Sequence, residues 1–369
     1  MIVVHLGAHR TGTTLFQKTL ADNRQRLSDL GICFLGPDQI RNGDFEGLLV
    51  RRAELTLLQF RKSQKAVRKL RCLLDRERRA GRRVILSEEN ILGSIRHNVD
   101  TMSIYPNIQN SLDMLKPAFE QVDVFYFSIR PLNVWWNSCL SFAIRHFRRP
   151  PSDTQLDYIA YNSAVGWRPV IQAVCKAFPK ARVKVIEFGA LTAEPILQLS
   201  EVTGWQDLSH LEQKYRIFNR SKPINHLKEV LEERGDSIGI ARLAGKGEGR
   251  RLNMFSETGV SLLSEAYARD LEWLRSQTDH RISFLEALKY ALKKRCSSWT
   301  HVCRINTVFS VPLFVSFVAV ITFKASPQIK FVPNGLLKSS ACSRPCQHRF
   351  SLFLKFPIDA YQANLGYCS

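Results

Sequence analysis

Residues 2 to 20 read IVVHLGAHRTGTTLFQKTL, and no other stretch limits the folds open to this chain as strongly. Ile2, Val3, Val4 and Leu6 make a short apolar run with β-branched members, the pattern of a buried strand. Gly7 and Gly12 bracket a short loop. Phe16, Leu20, Leu27 and Leu30 then recur at spacings of four, seven and three, a helical period. The order is strand, glycine-bounded loop, helix N-terminus. The first turn of a helix has backbone N–H groups without intrahelical acceptors, at the positive end of the helix dipole. A glycine loop lets the backbone approach an anion closely. Arg10 adds a guanidinium suited to phosphate or sulfate oxygens, and Thr11, Thr13 and Thr14 add hydroxyl donors. The stretch predicts an anion cradle. The plainer alternative is a strand-to-helix turn that uses glycine only for its geometry.

The rest of the chain alternates in the same way. Residues 32–35, 83–87 (RVILS), 122–129 (VDVFYFSI) and 182–188 (RVKVIEF) read as strands, with helical periods between them. Strands alternating with helices predict an α/β fold with a mainly parallel sheet flanked by helices. Pro131 starts a helix that carries Trp135, Trp136, Ser138 and Phe142. The two tryptophans read as core or lid packing, with stacking on a base or a sugar as the alternative. Gly166 and Pro169 interrupt helical segments near residues 153–177, and a helix is predicted over 191–202. Residues 235–251 are glycine-rich and basic and read as a mobile loop. A last helix is predicted from 256 to 276, continuing to about 294.

With 369 residues, the chain can hold one large α/β domain or two smaller ones, and its net charge of +20 favours anionic partners. We expect a domain over residues 1–290 and a separate basic extension over 291–369. Residues 51–83 carry thirteen Lys or Arg against three acidic residues, on a helical pattern. Arg61, Lys65, Arg68 and Lys69 form either a solvated outer face or a guide for an anionic substrate or the nucleotide. No stacking aromatics interleave with these charges, so nucleic acid is not an expected partner. No basic leader or small-residue cleavage site precedes the strand at Ile2, which predicts a cytoplasmic catalytic portion. Cys33, Cys72, Cys139 and Cys175 fit free thiols in a reducing compartment. The extension holds five of the nine cysteines, and residues 305–323 are nineteen uncharged positions in a row. That length is near the minimum for a membrane span, so a span, a membrane-surface segment and a poorly ordered or adventitious extension all stand as readings. Cys342, Cys346 and His348 are too loosely spaced, without a complete second pair, to define a zinc site.

Gly7 to Gly12 has the spacing of a Walker loop, but Thr13 stands where the Walker lysine would be. Arg10-Thr11-Gly12-Thr13-Thr14 instead resembles the 5′-phosphosulfate loop of sulfotransferases, and the leading Arg resembles that of the bacterial, carbohydrate-modifying kind. A second motif lies far away. Arg130 at a strand end, with Ser138 eight residues on, resembles the pair that holds the donor's 3′-phosphate in that family. Arg220, with Ser221 and Lys222, stands where a third 3′-phosphate element would fall, but the full pattern is missing and the 235–251 loop is a rival. The resemblance covers roughly residues 1–225. It implies a P-loop enzyme using 3′-phosphoadenosine-5′-phosphosulfate, with no metal required and a hydroxyl or amine acceptor such as a carbohydrate. In glycosaminoglycan members a Glu follows the second core strand. Glu89 is thus the preferred base, with Glu88 close behind and His97 a third candidate, since simple cytosolic members use a His. Arg10 would stabilise the transferring group, and His9 would position backbone. Two rivals remain: a P-loop nucleotide kinase-like enzyme, which needs a lysine and a magnesium-binding carboxylate, and a non-catalytic nucleotide-binding protein.

Overall fold

The computed structural model describes residues 1–49, 56–214, 223–247 and 252–287. Six strands, β1 (Ile2–Gly7), β2 (Ile32–Leu35), β3 (Arg83–Ser87), β4 (Val124–Ile129), β5 (Arg182–Glu187) and β6 (Ile282–Leu285), form one sheet. Their order is β2-β3-β1-β4-β5-β6, and every neighbouring pair is parallel. Along the chain, β1 feeds α1 (Thr13–Asp22) and α2 (Arg24–Asp29), and β2 feeds α3 (Pro37–Arg41) and the long α4 (Leu57–Arg79). After β3 come α5 (Ile95–Thr101) and α6 (Ile108–Phe119), and after β4 come α7 (Leu132–His146), α8 (Asp153–Asn162) and α9 (Arg168–Ala177). β5 is followed by α10 (Pro195–Thr203), α11 (Ile224–Glu233), α12 (Ser237–Arg242) and α13 (Glu257–Arg275), which leads to β6. This is the expected α/β architecture of a parallel sheet flanked by helices.

Every residue of β1 and of β4 is buried, because helices cover both faces of a parallel sheet. Side-chain alternation assigns the faces. Ile2, Val4 and Leu6 pack with Val84, Phe125, Val183 and the apolar stripes of α4, α6, α7, α9 and α13. Val3 packs with Ile85, Val124, Tyr126 and Ile186 under Phe16 and Leu20 of α1, Leu27 of α2 and Leu199 of α10. The connection after β1 runs toward β2, and the one after β4 runs toward β5 on the other side. The ends of β1 and β4 therefore flank the switch point of the sheet, where open α/β sheets leave a crevice for ligands.

Several local expectations change. The helix after the loop breaks at Asn23, whose side-chain amide donates to the carbonyls of Thr19 and Glu212. Pro169 begins α9 instead of interrupting it, as its missing N–H costs nothing in the first turn. Residues 237–242, expected in a loop, are helical, capped by the Asp236 carboxylate on the Gly239 N–H. The last helix stops at Arg275, and residues 282–285 form the edge strand β6 where helix had been expected. The open edge of β5 supplies the pairing, from Val183 opposite Ile282 to Ile186 opposite Leu285. All described residues fall in one unit, so the expected boundary near 290, the 291–369 extension and the 305–323 segment lie outside them. Among the described residues, no helix is long and apolar enough to cross a membrane.

Candidate functional site

The loop between β1 and α1 sits at the carboxyl edge of the sheet and is held from several sides. Gly7 has φ 98°, and a Cβ there would lie 2.8 Å from Cβ of Glu89. Gly12, the N-cap of α1, has φ 83°, and its Cβ would lie 2.3 Å from Cγ2 of Thr192. Both positions need glycine for conformation and for space. Thr11 donates its hydroxyl to the Ala8 carbonyl at 2.7 Å. It closes the loop on itself, and the hydroxyl expected to meet an anion donates here to the backbone. The indole of Trp135 donates to the His9 carbonyl at 2.8 Å, and the hydroxyl of Tyr105 meets the His9 N–H at 3.0 Å and Nδ1 at 2.9 Å. Nε2 of His9 lies 3.2 Å from Oδ1 of Asn90. Burial lowers the His9 pKa, so the ring is neutral near pH 7 and acts as a strut. Trp135 and Trp136 are fully buried, with ring centroids 5.0 Å apart, which makes them core residues and not a stacking platform.

α1 begins without any side-chain cap. Around its N-terminus the two sequence motifs converge. Arg10, itself at φ 61°, donates from Nε to Oγ of Ser138 at 2.9 Å, although 128 residues separate them. Arg130, directly after β4, donates from Nη1 to the Arg10 carbonyl at 3.0 Å, and its guanidinium lies 4.4 Å from the Phe188 ring centroid. The Trp167 indole holds the Arg130 carbonyl at 2.9 Å. Ser138 is buried on α7, so it is not ordinary helix surface. One helical turn-pair further along α7, Arg145 lies 6.0 Å from the Phe142 ring, and Arg10 lies 5.9 Å from the same ring. Burial lowers the Arg10 pKa and the Arg145 charge adds to that, with Cys139 opposing, but a guanidinium keeps its charge at neutral pH.

On the other side of the loop stand the two candidate carboxylates, and they differ. Glu88 has no exposed side-chain surface. Arg41 grips it through two bonds of 2.8 Å, and both the backbone N–H and the side-chain amide of Asn90 donate to Oε1. Glu88 is thus a structural anchor for Arg41 and for the turn that follows β3. Glu89 begins that turn, packed against Gly7. Its side chain is 14% exposed. Gln17 of α1 donates to Oε2 at 2.5 Å and Arg41 reaches Oε1 at 3.0 Å. Burial pushes the Glu89 pKa up, but His9, Gln17 and Arg41 outweigh it and hold the carboxyl below its usual range. Arg41 is held above its usual pKa: burial opposes its charge, and Glu88 and Glu89 more than compensate.

The third candidate base, His97, has its ring Nε2 2.9 Å from the side-chain amide of Asn107. Thr13 is buried in the first turn of α1 and Thr14 half-buried beside it. Arg220, Ser221 and Lys222 lie outside the described residues, as does 248–251 of the rival loop. Among the described residues, no group of three or more His, Cys, Asp or Glu is placed to hold a metal ion. Gln17, Arg41, Asn90, Tyr105 and Arg145 were not singled out in the sequence. Only Arg145 carried a signal, since it lies seven residues after Ser138 on the same helical face. No protein-family model matches this chain, and no curated protein sequence matches it.

Proposed function

We propose that this protein is a sulfotransferase, moving a sulfuryl group from 3′-phosphoadenosine-5′-phosphosulfate to a hydroxyl or amine acceptor, with a carbohydrate hydroxyl as the preferred class. The observation that carries this reading is the contact chain from Ser138 to Arg10 to Arg130, at the mouth of the β1/β4 crevice and beside an uncapped helix N-terminus. Two motifs that resemble the two ends of a phosphosulfate-donor site are thereby joined. The donor supplies the reactive sulfur–oxygen bond. The first-turn amides of α1 suit its 5′ end. Arg130 and Ser138 suit its 3′-phosphate, and Arg10 lies between them, where it would spread charge on the leaving phosphate.

Glu89 is the base in this reading. It takes the acceptor's proton as the acceptor oxygen bonds to sulfur and the sulfur–phosphate oxygen bond breaks, leaving a sulfate ester and phosphoadenosine phosphate. Against burial, His9, Gln17 and Arg41 hold its carboxyl below the usual range, so it is ionised at neutral pH, the form a proton acceptor needs. Glu88 holds Arg41 in place. A reducing cytoplasmic setting fits Cys33, Cys72, Cys139 and Cys175, which are free thiols.

A thermal-shift comparison tests the nucleotide. Phosphoadenosine phosphate should raise the melting temperature more than ATP, and stabilisation by ATP alone would move the protein to the kinase-like class. Transfer of label from the sulfate donor, in wild type and Glu89→Gln, tests the chemistry. An active Glu89→Gln beside a dead Glu88→Gln would reassign the base.

A further inference from the structure

Helix α4 carries a surface that the proposed reaction does not use. Its inner face is conventional: Ser63, Ala66, Val67, Leu70 and Leu74 are buried against the sheet and α6. Its first turn is not. Leu57 is 81% exposed, Leu58 78% and Phe60 40%. The turn is well anchored, because Thr56 and Gln59 form a capping box, the Gln59 N–H donating to the Thr56 hydroxyl and the Thr56 N–H to the Gln59 side chain. The leucines are therefore held out on a formed helix. Arg61, Lys65 and Arg68 follow at helical spacing and are all exposed. Two acidic neighbours lie beside the same helix: Glu46 pairs with Lys62 at 2.7 Å and Asp44 pairs with Lys69, with Lys65 also feeling Asp44. Among the described residues, α4 turns three apolar side chains outward, followed by a row of cations.

The place of this surface matters. Lys62 and Lys69 pair with the segment that follows Arg41, and Arg41 in turn binds Glu88 and Glu89 at the carboxyl end of β3. The N-terminal half of α4 thus lies toward the edge of the sheet that carries the β1–α1 loop. A free polyanion, such as a sulfated glycan, would use the cations and leave Leu57, Leu58 and Phe60 in water. A lipid surface takes both, because the boundary between headgroups and acyl chains accepts Leu and Phe while anionic headgroups meet Arg and Lys.

We propose that α4 docks this protein on an anionic lipid surface, Leu57, Leu58 and Phe60 entering the headgroup–acyl boundary and Arg61, Lys65 and Arg68 meeting lipid phosphates. Docking holds the loop-bearing edge close to the bilayer. The inference does not rest on the sulfotransferase reading, since vesicle binding requires no turnover.

The test is co-sedimentation of the full chain with vesicles of phosphatidylcholine alone, or with phosphatidylserine as about a third of the lipid. Wild type should bind the mixed vesicles, weaken as salt rises, and ignore phosphatidylcholine. Each cation near an anionic surface strengthens partition about fivefold, so Arg61→Gln/Lys65→Gln/Arg68→Gln should bind about a hundredfold more weakly. Leu57→Ser/Leu58→Ser should lose about tenfold while keeping all charges. These positions are exposed, so circular dichroism and melting of both variants should match wild type; if the charge variant does not fold, loss of binding by the serine variant alone still supports lipid docking, and its retention overturns it. Wild type that ignores mixed vesicles overturns the proposal. So do two variants that bind like wild type, which would assign the binding to another part of the chain. A charge variant that loses binding beside a serine variant that keeps it, with heparin competing, would make the face a polyanion site and also overturn it.

Discussion

Two helix N-termini in this molecule meet the same electrostatic demand in opposite ways. α9 receives a carboxylate from within the fold: Asp270 of α13 accepts the N–H of Trp167 at 2.7 Å and of Arg168 at 3.1 Å. α1 begins at Gly12 with no side-chain cap; Arg10 and Arg130 gather on one side of it, and the Glu89 carboxylate on the other is taken up by Gln17 and Arg41. A helix start favours negative charge in both cases. Where the protein supplies that charge itself, the terminus is part of the scaffold. Where it supplies glycine and guanidinium groups, the terminus is suited to an anion from outside. The comparison separates residues that hold the fold from residues proposed to do chemistry, and each can be tested on its own.

The largest expected effect is at the α1 side. Glu89→Gln should lower turnover by about 10²- to 10⁴-fold, the usual range for a general base, while the nucleotide-induced rise in melting temperature persists. A loss of nucleotide stabilisation in parallel would mean that Glu89 only shapes the loop. Next comes the scaffold terminus. Asp270→Ala leaves one buried and one part-buried N–H group without their acceptor and should cost about 2–3 kcal/mol in denaturant unfolding, with nucleotide affinity of the folded fraction unchanged. If the affinity falls too, the two termini are coupled and the comparison fails.

Asp270 also predicts a pH dependence. Burial raises its pKa to about 6, against the ordinary 3.8, with the Trp167 and Arg168 N–H groups and the Arg269 and Arg168 charges opposing. For an acid raised in the folded state, the protonated form is the favoured one. Its contribution is therefore full below about pH 4 and is lost as the pH rises through about 6. The stability of wild type relative to Asp270→Asn should improve by about 2 kcal/mol between pH 7 and pH 4. A flat difference would show that the carboxylate is charged without penalty.

Smaller effects should follow around the loop. Arg130→Gln removes one cation from the β1/β4 crevice and should weaken phosphoadenosine phosphate binding about tenfold to a hundredfold, read by titration calorimetry. Tyr105→Phe deletes the hydroxyl shared by the His9 backbone and ring, and should lower stability by about 1 kcal/mol. If it also weakens the nucleotide, the strut beneath the loop is part of the binding site's preorganisation.

Much of the fold could be read from local pattern. The apolar run at Ile2 to Leu6, the glycines at 7 and 12 and the period of α1 are all short-range signals, and the core strands lay close to where they were expected. β6 was missed because its short run, Ile282–Leu285, is only half-buried and gains its strand character from the free edge of β5. Glu88 and Glu89 could not be separated. They are adjacent and chemically alike, and what distinguishes them is Arg41, which arrives from α3 with a bidentate grip on one of them. Tyr105 gave no signal at all. Its role depends on a hydroxyl meeting a backbone N–H 96 residues away.

By itself, then, the sequence determined the local units: which segments could be strand or helix, where the backbone needed glycine, and which residue types could meet an anion. It also placed the cations and leucines of α4 on one helix. Only the tertiary structure decided that β1 lies between β3 and β4, that Thr11 closes its own loop, and that Arg10 touches Ser138. Periodicity and propensity act over a few residues, whereas these contacts depend on how two layers of helices pack on one twisted sheet, which no local window contains.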